Sequence, residues 1–119
     1  MEYIDARTMA AIDASAFQGA EPFPWINPAG FLTDAGFARL VEDLPDVSQF
    51  ASATDAMRVR KYGQKNHDRF VLEYLDGVDI PAPWQKLIDE LRGDRYRSFI
   101  ASLLGHRHFR FRFHWHYTP

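Results

Sequence analysis

The sequence predicts an α+β domain, and three observations carry that expectation. Apolar residues recur at helical spacing in three stretches that end on proline or glycine. Two other stretches, 69–75 and 109–117, alternate apolar and polar with a period of two, as half-buried strands do. The chain is 119 residues long, enough for one core but not for two independent ones.

The first element is sparse: Met9, Ile12 and Phe17 on an Ala-rich stretch predict a weak helix over 7–17, within a loosely held 1–20 region. Glu21 to Gly30 follows with three prolines, which bar a helix interior and favour an extended path. Its Phe23, Trp25 and Ile26 are expected to lie against a core. A better helix comes next. Thr33 or Asp34 can cap it, Phe37, Leu40, Val41 and Leu44 form its stripe, and Pro45 stops it. Met57 to Tyr62 alternates apolar and basic residues and predicts a strand, with a turn over Gly63–His67. Arg69 to Leu75 predicts a second strand with Phe70, Leu72 and Tyr74 on one face, reversed at Asp76-Gly77. Pro81-Ala82-Pro83 opens a helix striped by Trp84, Leu87, Ile88 and Leu91 and closed by Gly93. Tyr96, Phe99, Ile100, Leu103 and Leu104 make another, closed by Gly105.

Composition narrows function more than it names it. Fourteen Lys and Arg against sixteen Asp and Glu leave a net charge of −2, so bulk charge makes no case for nucleic acid as a partner. With no cysteine, disulfides, thiolate metal sites and thiol nucleophiles are excluded. The opening residues lack the basic patch and apolar run of a signal peptide, and no stretch nears the roughly 20 apolar residues of a membrane span. A cytoplasmic location is the expectation.

The last strand holds the chemistry. Phe109, Phe111, Phe113, Trp115 and Tyr117 alternate with Arg110, Arg112, His114 and His116, so an aromatic face is expected on a core and a cationic, imidazole-bearing face opposite. His114 and His116 lie about 6.6 Å apart along the strand, close enough to share a metal ion. Two ligands do not close a zinc site, and His108 sits roughly 20 Å further along. The pair is therefore read as facing solvent, facing a partner or hydrogen-bonded, with no metal site assigned. Arg92, Arg95, Arg97, Arg107, Arg110 and Arg112 fall in a stretch whose one acid is Asp94. If aimed into a pocket they would recognise carboxylate or phosphate; a solvated face is the plainer reading. So patterned a strand, with only Thr118-Pro119 after it, reads as cut from its sheet.

Several of these segments together resemble a known family. They are Pro24-Trp25-Ile26-Asn27, the helix at 34–44, Arg60-Lys61-Tyr62-Gly63-Gln64 with His67-Asp68-Arg69, Pro81-Ala82-Pro83-Trp84, and above all Phe111 to Pro119 with its Trp115-His116-Tyr117-Thr118-Pro119 ending. From about residue 22 onward the chain resembles the prolyl-hydroxylase-like, bacterial branch of the Fe(II)/2-oxoglutarate-dependent dioxygenases. The resemblance implies that 1–119 is the N-terminal part of one oxygenase domain. Its N-terminal helices would pack on the opening strands of a double-stranded β-helix, or jelly roll, with 105–119 the first core strand region under the helices at 83–92 and 94–104. It implies Fe(II) as cofactor, 2-oxoglutarate and O2 as cosubstrates, and hydroxylation of an unidentified substrate. Tyr117 matches the family's strand Tyr, which hydrogen-bonds 2-oxoglutarate in related prolyl hydroxylases. The family's His-x-Asp iron motif follows that strand and is not in this sequence, where His67-Asp68 lacks the spacer. The fragment alone is expected to be inactive, because iron in such enzymes needs a 2-His-1-carboxylate triad. The alternative is a stand-alone, non-enzymatic binding module that holds an anionic partner on the Arg/His face of the last strand.

Overall fold

The computed structural model describes residues 1–52 and 70–117; the expected strand at 57–62, the turn at 63–67, Arg69 and Thr118-Pro119 lie outside the described residues. Helices and strands are both present, as the α+β expectation requires. The chain divides into two compact units, Met1–Leu44 with Ile80–Phe111, and Pro45–Asp79 with Arg112–Pro119.

The first unit holds the helices. In place of one helix over 7–17 there are two short ones, α1 (Ala6–Ala10) and α2 (Ala14–Gln18). Each starts on an aspartate. Asp5 accepts a hydrogen bond from the Thr8 amide at 2.8 Å, and Asp13 accepts one from the Ser15 amide at 2.9 Å. A capping carboxylate requires an extended backbone at its own residue, so Asp13 (φ −90°, ψ 114°) interrupts what would otherwise be one helix.

The chain start is the best-buried part of this unit. Tyr3 and Ile4 are 1% and 0% exposed. Residues 3–5 run antiparallel beside 31–33: Ile4 bridges Leu32, Thr33 donates its amide to Tyr3 O, and Asp5 donates to Phe31 O. The Thr33 hydroxyl donates to Glu2 O at 2.7 Å and accepts from the Gly36 amide at 3.0 Å, so it both ties down the chain start and caps α3 (Asp34–Glu42).

The stripe expected on α3 is mostly solvent-facing. Gly36 and Leu40, one helical turn apart, are its buried residues, while Phe37, Val41 and Leu44 are exposed. Gly36 lets the helix close on Tyr3, since a Cβ there would stand 3.0 Å from Tyr3 Cα. That narrow contact leaves the rest of the apolar residues outside. The expectation that Phe23, Trp25 and Ile26 lie on a core also fails: Phe23 and Trp25 are 65% and 53% exposed, and Ile26 is exposed too. This segment instead closes on itself, the Trp25 indole donating to Glu21 O at 2.9 Å.

Helix α4 (Ala82–Arg92) begins at Pro81 with Pro83 in its first turn, where a missing N–H costs nothing, and ends on Gly93. Leu87 and Ile88 are buried as the stripe requires. Tyr3, Leu40 and Leu87 form the core cluster, with Leu32, Trp84 and Leu91 packed against it. The Trp84 indole donates to Leu40 O at 3.1 Å, joining α4 to α3. Helix α5 (Asp94–Leu104) ends at Gly105, whose φ of 81° is the left-handed conformation that favours glycine at a helix C-terminus. The Gln18 side-chain amide donates to Leu103 O at 3.1 Å and holds α2 to α5.

The second unit holds a three-stranded antiparallel sheet in the order β1 (Ala51–Ser52), β2 (Phe70–Glu73), β3 (His114–Tyr117). β2 and β3 pair Phe70 with Tyr117, Val71 with His116, Leu72 with Trp115 and Glu73 with His114. Phe70 and Leu72 share a face as the alternation predicts, and Leu72 is buried. The reversal expected at Asp76-Gly77 is present, with Gly77 at φ 84°. The long strand expected over 109–117 is regular only over its last four residues. Burial still alternates from Phe109 to His114, the phenylalanines half-buried and Arg110, Arg112 and His114 exposed. One cross-strand bond continues beyond the regular strand, from the Tyr74 amide to Phe113 O, and further upstream the backbone bonds elsewhere. Phe109 O accepts from the Arg97 guanidinium at 3.2 Å, and Phe109 N donates to Arg107 O.

Candidate functional site

The candidate site is the β2–β3 pair, where alternation separates two chemistries. On one face Tyr117 lies in register with Phe70, ring centres 5.7 Å apart, and meets Phe50 edge-to-face at 6.4 Å. Trp115 opposite Leu72 comes next on this face, and beyond it Tyr74 and Phe113 stand edge-to-face at 6.2 Å, tied by the Tyr74 amide donating to Phe113 O. Tyr117 is 38% exposed, and among the described residues its hydroxyl has no hydrogen-bond partner. A ring body held by two aromatics with an open polar end suits a residue that presents its hydroxyl to a ligand.

On the opposite face stand His114, His116, Glu73 and Arg112. The two imidazoles are exposed, with ring centres 4.6 Å apart and planes at 81°. Glu73 pairs with His114 across the ladder, and its carboxylate accepts from the Arg112 guanidinium at 3.3 Å in an exposed ion pair. Such a pair is worth at most about 1 kcal/mol.

Arg97 is drawn out of the expected anion-binding set. Its guanidinium lies 4.9 Å from the Phe109 ring centre and 5.9 Å from that of Phe111, besides its bond to Phe109 O. It serves as a packing cation. Arg92, Arg95, Arg107 and Arg110 are exposed.

The resemblance places the iron ligands outside this chain. Among the described residues no three His, Cys, Asp or Glu side chains gather closely enough to hold a metal ion. No reaction step is assigned to an iron centre from the described residues. Glu73 and Phe50 escaped the sequence reading of this site. The Phe70-Leu72-Tyr74 alternation placed Glu73 on the polar face, but its register with His114 is a long-range fact that no local pattern carries.

No family model, curated protein or solved structure matches the chain. Among the described residues no helix is long and apolar enough to cross a membrane.

Proposed function

We propose that this chain is the N-terminal portion of a non-haem Fe(II), 2-oxoglutarate-dependent dioxygenase, a hydroxylase whose iron ligands lie beyond its own residues. The reading rests on the Phe111–Pro119 resemblance, and the observation that supports it best is the setting of Tyr117. Its ring is braced by Phe50 and Phe70, and its hydroxyl is left without a partner among the described residues. The antiparallel β1-β2-β3 sheet would be the opening of the jelly roll. Tyr117 would donate its hydroxyl hydrogen to 2-oxoglutarate, fixing the cosubstrate's orientation. Iron, O2 and 2-oxoglutarate would supply the oxidising chemistry, with succinate and CO2 as coproducts. The anion-binding alternative draws less support, because Arg97 is stacked on aromatics and Arg112 is paired with Glu73.

Reading the genomic DNA past codon 119 tests the proposal first: an in-frame His-x-Asp soon after Pro119 is expected. Protein made from that longer frame should form succinate from 2-oxoglutarate with Fe(II) and O2. Tyr117→Phe should raise the KM for 2-oxoglutarate about tenfold, since one hydrogen bond to a charged ligand is worth about 1.5 kcal/mol. The 119-residue chain alone should form none. A frame without the motif, or a longer protein inert towards 2-oxoglutarate, overturns the proposal and favours the binding module.

A further inference from the structure

Two His-x-His pairs occur in this chain, and the fold treats them differently. His106 and His108 stack nearly parallel at 28°, with ring centres 6.0 Å apart, and the His106 Nδ1 already accepts the His108 amide at 3.1 Å. The His114 and His116 ring centres stand 4.6 Å apart with planes at 81°, and among the described residues neither imidazole makes a hydrogen bond or ion pair. With metal–nitrogen bonds of about 2.0–2.1 Å and each ring centre about 1.1 Å beyond its nitrogen, two cis imidazole ligands have centres about 4.5–5 Å apart. The second pair meets that spacing and the first does not. Pairing with Val71 and Glu73 across the ladder fixes the backbone beneath both rings, so little order has to be created on binding.

We propose that His114 and His116 form an open two-imidazole chelate for a late first-row divalent cation, with water in the remaining positions. Imidazole donors suit Cu(II), Ni(II) and Zn(II), and the general affinity order places Cu(II) first and Fe(II) well behind. The inference rests on the geometry of this pair and stands whether or not the oxygenase reading does. Glu73, opposite His114, is paired with the Arg112 guanidinium at 3.3 Å and is not counted as a ligand.

The test is calorimetric titration of the full 119-residue chain with Cu(II) in a weakly coordinating buffer, with electron paramagnetic resonance to count bound nitrogens. One Cu(II) per chain and a two-nitrogen signature are expected. His114→Ala and His116→Ala should each weaken binding at least tenfold, whereas His106→Ala and His108→Ala should leave it unchanged. Both target rings are exposed, and matching circular dichroism spectra for all four variants will show that the fold persists. His114→Gln and His116→Gln provide a second set if either alanine variant misfolds. Binding that survives at His114 and His116 variants, that is lost with His106 or His108, or that rests on the Met1 amine overturns the proposal.

Discussion

Removing the Glu90 carboxylate should loosen the whole first unit. Glu90 sits on α4, and its carboxylate accepts the backbone amides of Tyr3 (3.1 Å to each oxygen) and Ile4 (3.0 Å), together with that of Glu2. These donors lie 86 to 88 residues away in sequence, and they belong to the two best-buried side chains of the unit and their neighbour. A hydrogen bond to a charged group contributes about 1.5–3 kcal/mol, and the half-buried position of Glu90 puts each of these at the lower end. Sharing one carboxylate makes them less than additive. Glu90→Ala should therefore cost about 3 kcal/mol, slightly offset by the better helix propensity of alanine. Glu90→Gln keeps one acceptor oxygen and should cost about 1 kcal/mol. Urea unfolding followed by circular dichroism measures both, and Glu42→Ala, an exposed carboxylate at the end of α3, serves as the control expected to stay within about 0.5 kcal/mol. Hydrogen exchange gives an independent readout, since the Tyr3 and Ile4 amides should lose protection in Glu90→Ala. A Glu90→Ala protein as stable as Glu42→Ala would refute the argument.

Two further outcomes are expected. Gly36→Ala should destabilise by about 1–3 kcal/mol despite the higher helix propensity of alanine, because the new Cβ would stand 2.7 Å from Thr33 Oγ1 and 3.0 Å from Tyr3 Cα; a rise in melting temperature would contradict the packing. The Asp5 carboxyl is held below its ordinary value of 3.8, chiefly by the Thr8 amide it accepts. Its stabilising contribution is thus full above that value and lost as the pH falls through the depressed one. Asp5→Asn should flatten the stability profile below pH 4 in acid titrations of the denaturation midpoint.

Helix ends were the most legible part of the fold. Thr33, Pro81, Gly93 and Gly105 mark boundaries through chemistry that acts within one turn, and the structure uses each of them. The break between α1 and α2 does not show in the spacing of Met9, Ile12 and Phe17, because it comes from the Asp13 side chain capping the Ser15 amide. Burial was read less well, since an apolar residue has to find a neighbour and periodicity does not say which. Phe37 and Val41 satisfy the helical stripe but look outward, while Tyr3 and Ile4, in a stretch with no pattern, fill the core. The clamp by Glu90 could not be read locally at all. At the candidate site the alternation of β3 separated Tyr117 from His114 and His116 correctly. Its partners Phe50, Phe70 and Glu73 depended on a strand register set by tertiary pairing.

The three tryptophans occupy three unlike surroundings. Trp84 is half-buried at the junction of α3 and α4, Trp115 lies opposite Leu72 in the sheet, and Trp25 stands largely in water. The molecule thus carries built-in fluorophores. Keeping one indole at a time and replacing the others by phenylalanine would let emission colour and quencher access follow the helical and sheet units separately, revealing whether they melt together or in sequence.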